Sequence, residues 1–191
     1  SKSGAADALE SLGVNLDLSP YKCQLALNEL GYCFLMAPKF HASLKPLASL
    51  RKELGFRTIF NLLGPLANPA GTRTQLLGVF DKHWIRPMAE SLRALGSTSA
   101  LVVHGSDGLD EITLCGETHC ARLQNGTIEE FSLTPASFGL PQIKAEDISG
   151  QDSDYNAKAL LKLLQGERSA YRNIVLANAA ATLHLAGKAI D

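Results

Sequence analysis

The sequence predicts an α/β protein whose mixed, mostly parallel sheet is flanked by helices, with a helical excursion between two strands. Two continuous apolar runs, residues 76–80 and 100–104, are typical of buried strands. The helical pattern of residues 84–95 lies between them, and this strand, helix, strand order indicates a parallel pair with a right-handed crossover. Asn125 and Gly126 form a strong hairpin signal, so antiparallel strands are expected after the parallel pair.

The first third of the chain predicts helices around one short strand. Ser19 is a good N-cap with proline at the first helical position, and Gly31 is a typical helix end. The apolar run at residues 33–37 lies between Gly31 and Pro38, which predicts a buried strand. Residues 40–69 then carry a helical pattern, which predicts an excursion into a second, helical subdomain.

The second half of the chain predicts a β-meander followed by two helices. Residues 112–115, 119–123 and 127–131 form short strand patterns around the hairpin turn. The tail is helical over residues 154–164 and 169–189. Small residues are frequent in the last helix, which favours close packing inside a core.

The composition is that of a globular chain, and it excludes several classes of partner. The 191 residues are 46% hydrophobic and 19% charged, and 18 Lys and Arg against 19 Asp and Glu give a net charge of −1. Bulk charge therefore does not attract the chain to nucleic acid or to an anionic membrane, so any anion needs a local site. The sequence has neither an apolar stretch of about 20 residues nor a signal-peptide pattern, so we expect a soluble, cytoplasmic protein.

The cysteines favour a packing role. Four cysteines are too few for a disulfide scaffold in a chain of this size, and reduced thiols fit the cytosol. Cys115 and Cys120 lie close to His119 in the sequence, but a second ligand pair at zinc-site spacing is missing. Packing is therefore favoured over a metal or redox role for these two cysteines, and also for His104.

Polar side chains are concentrated in residues 40–69. Arg51 and Arg57 are candidate anion-binding residues, because a guanidinium presents a planar fork of donors that matches a carboxylate. Solvated charges on a helix face would give the same pattern. The spacing alone leaves both interpretations open.

A second polar concentration follows the apolar run at residues 100–104. Open α/β sheets bind ligands just outside the carboxyl ends of their strands, and glycines there let the backbone approach a ligand closely. Asp110 and Glu111 are hard oxygen ligands suited to Mg²⁺ that keeps waters and is shared with substrate phosphates. An ordinary turn with aspartate at its usual positions is the alternative, and an Asp-Glu pair by itself does not decide between the two.

Four segments resemble anthranilate phosphoribosyltransferases in order and spacing: residues 1–13, 37–41, 51–69 and 104–112. The resemblance covers essentially the whole chain, and residues 51–69 are a highly specific block. It implies a domain of the nucleoside phosphorylase and phosphoribosyltransferase C-terminal type, with residues 1–39 and 70–191 in the large α/β domain. Residues 40–69 would contribute to the small helical domain and to the acceptor site.

The resemblance implies an activity and a cofactor. The activity is transfer of phosphoribose from 5-phosphoribosyl 1-pyrophosphate to the amino group of anthranilate, with release of pyrophosphate, in tryptophan biosynthesis. Magnesium is the implied cofactor, and Asp110 and Glu111 are the implied metal pair. Pyrophosphate is a good leaving group once Mg²⁺ neutralises its charge, so positioning and electrostatics would dominate and no covalent nucleophile is needed.

The resemblance also implies substrate contacts by position. Arg51 matches the arginine that contacts anthranilate, whereas Arg57 is interpreted as structural. The other anthranilate contacts would be walls of an aromatic channel: Ala37, Pro38, His41, Gly64 and Pro65. Ser1 falls at the last residue of the phosphoribosyl-pyrophosphate loop, and Ala5 occupies a contact position where serine is common, so a hydroxyl contact there is lost.

The family's glycine-rich pyrophosphate loop would lie before Ser1. The resemblance therefore implies a C-terminal fragment that is inactive or nearly so by itself, and a homodimer when full length. Two alternatives stay open. A pyrimidine nucleoside phosphorylase-like enzyme shares the architecture, although residues 51–69 favour a carboxylated aromatic acceptor. A non-catalytic nucleic-acid-binding relative would carry a basic surface, and the net charge of −1 argues against it.

Overall fold

The computed structural model describes residues 4–41 and 59–188 of the chain. The chain divides into two compact units, described separately below: Ser1–Asn61 with Gly150–Gln165, and Leu62–Ser149 with Gly166–Asp191. Most of residues 40–69 lies outside the described ranges, so the domain boundaries expected from the sequence stay a prediction. Within the described ranges, no helix has both the length and the apolar character that a membrane crossing requires.

The described elements are seven helices and four strands, besides short 3₁₀ turns. In chain order they are α1 (Ala5–Ser11), α2 (Pro20–Leu30), α3 (Ala37–Phe40), α4 (Phe60–Leu66), β1 (Thr74–Gly78), α5 (Ile85–Ala94), β2 (Ser99–Gly105), β3 (Thr118–Gln124), β4 (Thr127–Leu133), α6 (Ser153–Leu164) and α7 (Ala170–Leu185).

The first unit is helical, and α2 begins and ends where the sequence predicts. The Ser19 hydroxyl accepts a hydrogen bond from the Lys22 N–H at 3.3 Å, and Pro20 occupies the first helical position. Gly31 ends the helix with a φ of 73°, a left-handed conformation that costs glycine little. In the same unit, α1 packs against α6.

The prediction of a strand at residues 33–37 is wrong. Residues 33–36 belong to no strand, and α3 begins at Ala37. The reason lies in Pro38, whose fixed φ and missing N–H suit the first turn of a helix and remove a donor from a strand. The apolar side chains of residues 33–36 are half-buried without strand pairing.

The second unit contains a four-stranded sheet in the order β1-β2-β3-β4. The parallel pairing of β1 with β2 confirms the prediction from the two apolar runs. β3 is antiparallel to both of its neighbours, and the β3–β4 hairpin turns at Asn125 and Gly126, with φ of 50° and 79°. The predicted strand at residues 112–115 is wrong, because these residues lie in the loop that joins β2 to β3.

Helices cover both faces of this sheet, so the inner strand β2 is apolar on both sides. Successive side chains of a strand point to opposite faces. Ala100 and Val102 of β2 therefore join the cluster under α5, whereas Leu101 and Val103 join the cluster under α7. This arrangement explains the continuous apolar run of β2 and places its carboxyl end at a polar loop.

Candidate functional site

The loop between β2 and β3 begins where the buried strand ends, as the sequence predicts. The Ser106 N–H donates to the Glu117 carbonyl at 2.8 Å, which closes the base of the loop. The Gly105 N–H donates to the Leu109 carbonyl at 2.8 Å, and Gly108 adopts a φ of 89° in the turn between them. The loop is therefore defined by its own backbone hydrogen bonds.

Asp107 is the carboxylate that stabilises this loop from within. The Thr113 hydroxyl donates to Asp107 Oδ2 at 2.6 Å, and the Leu109 N–H donates to Asp107 Oδ1 at 3.3 Å. Thr113 is buried, and its own N–H donates to the buried Thr118 hydroxyl at 3.0 Å. Both carboxylate oxygens of Asp107 thus accept bonds inside the loop, and its role is structural.

Asp110 and Glu111 are adjacent carboxylates in this loop, which also carries the exposed Asp107 and Glu117. Asp110 and Glu111 are both exposed as well. Desolvation of its carboxyl group, and secondarily the negative charge of Asp110, raise the pKa of Glu111 above its ordinary value. The two adjacent carboxylates repel each other, and a cation bound between them would relieve that repulsion.

The Asp110 backbone lies against β1. A Cβ atom added to Gly78 would stand 1.5 Å from the Asp110 carbonyl oxygen, a distance that no side chain could occupy. The next residue along, Val79, accepts a hydrogen bond through its carbonyl from His104 Nδ1 at 2.8 Å. β1 therefore fixes the position of the loop, and His104 hydrogen-bonds to the backbone that directly follows β1.

A helix far along the chain also contacts the loop. Asn178 on α7 hydrogen-bonds both the N–H and the carbonyl of Ile112, at 3.0 and 2.9 Å. Burial, and secondarily the charge of Glu111, raise the pKa of Tyr171 near the start of α7. Sequence reasoning missed both residues, because they stand some 60 positions from the loop and no local pattern connects them to it.

The acceptor-site residues expected in the first unit lie around α3. Ala37 and Pro38 open this short helix and are exposed. His41 caps it, half-buried, with its N–H donating to the Ala37 carbonyl at 3.0 Å. Ala5 is the exposed first residue of α1. The structure therefore brings Ala37, Pro38 and His41 together within one helical turn.

The other expected substrate residues fall into two groups. Gly64 and Pro65 lie in α4 of the second unit, where Pro65 stands inside the helix. Ser1 and Arg51 lie outside the described residues. The roles of these four residues, like those of Ala5, Ala37, Pro38 and His41, stay predictions.

The thiols of the second unit are poor candidates for redox or metal chemistry. Burial raises the pKa of Cys115, and it raises the pKa of the buried Cys120 to about 12, so both thiols are protonated at neutral pH. Residues 4–41 and 59–188 contain no group of three or more His, Cys, Asp or Glu that could hold a metal ion. A metal at Asp110 and Glu111 would accordingly need further ligands from water or substrate.

A cavity of about 650 Å³ opens elsewhere in the second unit, between the start of α5 and strands β3 and β4. Two of its basic side chains already have acidic partners. Arg86 pairs with Glu90 at 3.0 Å and with Glu130 at 2.8 Å, and the His83 ring contacts Asp81 at 2.7 Å. The cavity does not include the Asp110 loop.

Comparison with known proteins identifies what the chain is similar to. The family described as "Glycosyl transferase family, a/b domain" matches residues 1–191. The chain is 53% identical to the anthranilate phosphoribosyltransferase of Rhodospirillum rubrum, over 100% of this chain and 55% of that protein. It is 51% identical to the same enzyme of Afipia carboxidovorans, over 100% of this chain and 57% of the relative.

The chain is also similar to solved structures of anthranilate phosphoribosyltransferases. The crystal structure of anthranilate phosphoribosyltransferase from Thermus thermophilus matches with a TM-score of 0.90 and 43% identity, over 97% of this chain and 55% of that one. The Saccharomyces cerevisiae enzyme in complex with PRPP and Mg matches with a TM-score of 0.88 and 26% identity, over 96% of this chain and 54% of that one. The chain thus spans about half the length of the relatives that it matches.

Proposed function

This chain belongs to the glycosyl transferase family through its a/b domain, and from that premise we propose that it forms the metal-binding part of an anthranilate phosphoribosyltransferase. The reaction is transfer of phosphoribose from 5-phosphoribosyl 1-pyrophosphate to anthranilate, with release of pyrophosphate, in tryptophan biosynthesis. The observation that carries the proposal is the arrangement of the β2–β3 loop. Asp107 accepts hydrogen bonds within the loop, whereas the adjacent carboxylates of Asp110 and Glu111 are exposed and can accept a ligand. The 53% identity to the R. rubrum enzyme supports it.

The residues present fit magnesium. Asp110 and Glu111 offer hard oxygen donors from an exposed loop, and the pKa of Glu111 is raised by desolvation and, secondarily, by the charge of Asp110. These two side chains would hold Mg²⁺. When bound there, Mg²⁺ supplies charge neutralisation on the pyrophosphate leaving group. Asp107, through Thr113, keeps the loop that carries the pair in one conformation.

The acceptor side of the reaction would be formed by the other predicted residues. Arg51 would pair with the carboxylate of anthranilate through its guanidinium fork. The walls of the aromatic channel would be Ala37, Pro38, His41, Gly64 and Pro65. Ser1 and Ala5 would lie beside 5-phosphoribosyl 1-pyrophosphate, with no hydroxyl from Ala5.

Positioning and electrostatics would account for catalysis. The aromatic amine of anthranilate is a ready nucleophile, and pyrophosphate leaves readily once its charge is neutralised. The Cys120 thiol is buried and its pKa is raised to about 12, so it is unsuited to act as a nucleophile. We further propose that the full-length enzyme is a cytoplasmic homodimer.

The test is an assay of the chain alone and of an extended chain. The extension would be the segment that precedes the matched part in the R. rubrum relative, fused ahead of Ser1. Consumption of anthranilate in the presence of 5-phosphoribosyl 1-pyrophosphate and Mg²⁺ is expected for the extended chain, and little or none for the chain alone. Phosphorolysis of thymidine, or tight salt-sensitive binding of DNA, by an extended chain that leaves anthranilate untouched would contradict the proposal.

A further inference from the structure

The residue that follows the carboxylate pair is held by a side chain from another element. Asn178 of α7 accepts the Ile112 N–H on Oδ1 at 3.0 Å and donates from Nδ2 to the Ile112 carbonyl at 2.9 Å. The same Nδ2 donates to the carbonyl of Ile174, one turn earlier in the helix, at 2.9 Å. One amide therefore pairs both backbone polar groups of a single loop residue while staying bonded to its own helix.

Ile112 needs these bonds because of where it lies. Its exposure is 0%, and it stands in a loop rather than in a strand, so neither water nor a strand neighbour pairs its backbone. A buried N–H and a buried carbonyl in one residue require a donor and an acceptor close together, and the planar end of an asparagine offers both. Removing that amide would leave two buried polar groups unpaired.

The position of this contact in the loop is informative. Ile112 directly follows Glu111, and within the pair the Asp110 carbonyl lies against Gly78, where even one added carbon would overlap it. β1 thus fixes the backbone before Glu111, and α7 fixes the backbone after it. The backbone is therefore held directly before and directly after Glu111.

We propose that Asn178 is a positioning residue for the Asp110 and Glu111 carboxylates, acting through Ile112. The inference rests on the proposed magnesium function of this pair. Asn178 does not touch the ion or the substrate in this proposal. It keeps the two ligands in the arrangement that receives the ion, since groups behind metal ligands orient them and set the affinity of the site.

The test is a titration of the chain with Mn²⁺ in the presence of inorganic pyrophosphate, with free Mn²⁺ followed by electron paramagnetic resonance. The variants are Asn178→Leu, which keeps approximate size and removes both hydrogen-bonding functions, and the milder Asn178→Ser. Neither variant changes charge. The dissociation constant of Mn²⁺ should rise about 10-fold or more in Asn178→Leu, as for other residues that orient metal ligands.

Thr182→Ala is the matched control. Thr182 lies one turn further along α7 and is exposed, and its hydroxyl donates to the Asn178 backbone carbonyl at 2.8 Å. The variant removes a hydrogen bond from the same helix without touching the loop, so its Mn²⁺ affinity should stay that of the unaltered chain. Circular dichroism at the titration temperature identifies any variant that has unfolded.

A measurement on the unaltered chain keeps the inference falsifiable if Asn178→Leu does not fold. The Ile112 amide should exchange its hydrogen slowly, as strand amides do, although it lies in a loop. Rapid exchange of that amide, or unchanged Mn²⁺ affinity in folded Asn178 variants, overturns the positioning role. Mn²⁺ binding that is absent from the unaltered chain, or that survives Asp110→Asn with Glu111→Gln, overturns instead the metal site on which the proposed function depends.

Discussion

Asp107 differs from its neighbours Asp110 and Glu111 in its hydrogen bonds. Asp107 accepts hydrogen bonds from the Thr113 hydroxyl and from the Leu109 N–H, so its carboxylate stabilises the loop. Asp110 and Glu111 stand open to solvent. The position after a buried strand left this pair open between a metal site and an ordinary turn, and the metal role came from the family resemblance. Local patterns could not show that Asp107, only three residues earlier, bonds within the loop.

Glu111→Gln should raise the stability of the chain at neutral pH. The residue is exposed, but partial desolvation of its carboxyl group raises the folded-state pKa of Glu111, so folding takes up a proton between the ordinary glutamate value of 4.5 and the raised value. Stability therefore falls as pH rises through that window, and the loss persists at pH 7. A neutral glutamine avoids this loss.

Thermal unfolding at two pH values measures the effect. We expect the unfolding temperature of Glu111→Gln to exceed that of the unaltered chain at pH 7, and the difference to shrink as pH falls below 4.5, where the glutamate is itself protonated. Glu146→Gln, at an exposed position of the same unit, is the control and should show a smaller change at pH 7. An unfolding temperature lowered by Glu111→Gln at pH 7 would contradict the raised pKa.

Arg51→Ala should weaken binding of the acceptor. An aromatic acid with an unpaired carboxylate is costly to bury, so loss of the guanidinium should cost about 1.5–3 kcal/mol of anthranilate binding, the range for charge-assisted hydrogen bonds. Affinity for 5-phosphoribosyl 1-pyrophosphate should scarcely change. Steady-state kinetics of the extended chain test this, and an unchanged Michaelis constant for anthranilate would remove Arg51 from the acceptor site.

Elements with a strong local signal were predicted well. Two apolar runs predicted β1 and β2 and their parallel pairing, and Asn125 with Gly126 predicted the hairpin turn. These predictions succeed because strand burial and left-handed turn residues depend on a few neighbouring positions. Residues 33–37 and 112–115 were predicted as strands and are not. In the second case tertiary contacts decide, since the apolar side chains of the loop are buried under α7 and its backbone bonds run to Asn178 and Thr118.

Gly78→Ala should destabilise the second unit. The added Cβ would stand 1.5 Å from the Asp110 carbonyl oxygen, a backbone atom that moves only if the loop moves. We expect a loss of about 1–3 kcal/mol in the free energy of unfolding, as for other overpacked sites. Gly64→Ala is the matched control, because nothing lies within 4 Å of its added Cβ and alanine favours a helix interior. Chemical denaturation of the two variants measures the contrast, and equal stability of both would show that the loop gives way without cost.

At the scale of the whole molecule, the expected site residues are distributed over both compact units. Ala5, Ala37, Pro38 and His41 belong to the first, and Gly64, Pro65, Asp110 and Glu111 belong to the second. The family resemblance assigned these residues to the site by position. Local sequence patterns could not have connected residues so far apart in the chain. Because the chain spans about half the length of its relatives, the proposed metal role of Asp110 and Glu111 is the part of the proposed site that this chain can be tested for directly.

Asp110 and Glu111 should matter for turnover and not for the stability of the fold. Asp110→Asn combined with Glu111→Gln in the extended chain should lower turnover at least about tenfold, which is ~1.4 kcal/mol of transition-state stabilisation, and raise the Mg²⁺ concentration for half-maximal rate. The fold should survive, because both side chains are exposed beyond a strand end and neutralisation removes their mutual repulsion. Turnover against Mg²⁺ concentration and thermal unfolding are measured on the same samples, and we expect lost activity with an unfolding midpoint within a few degrees of the parent, roughly the spread of surface substitutions. A double variant with the parent's turnover and the parent's Mg²⁺ titration curve would make Asp110 and Glu111 ordinary turn residues, whereas lost turnover in a partly unfolded protein would assign them to the fold.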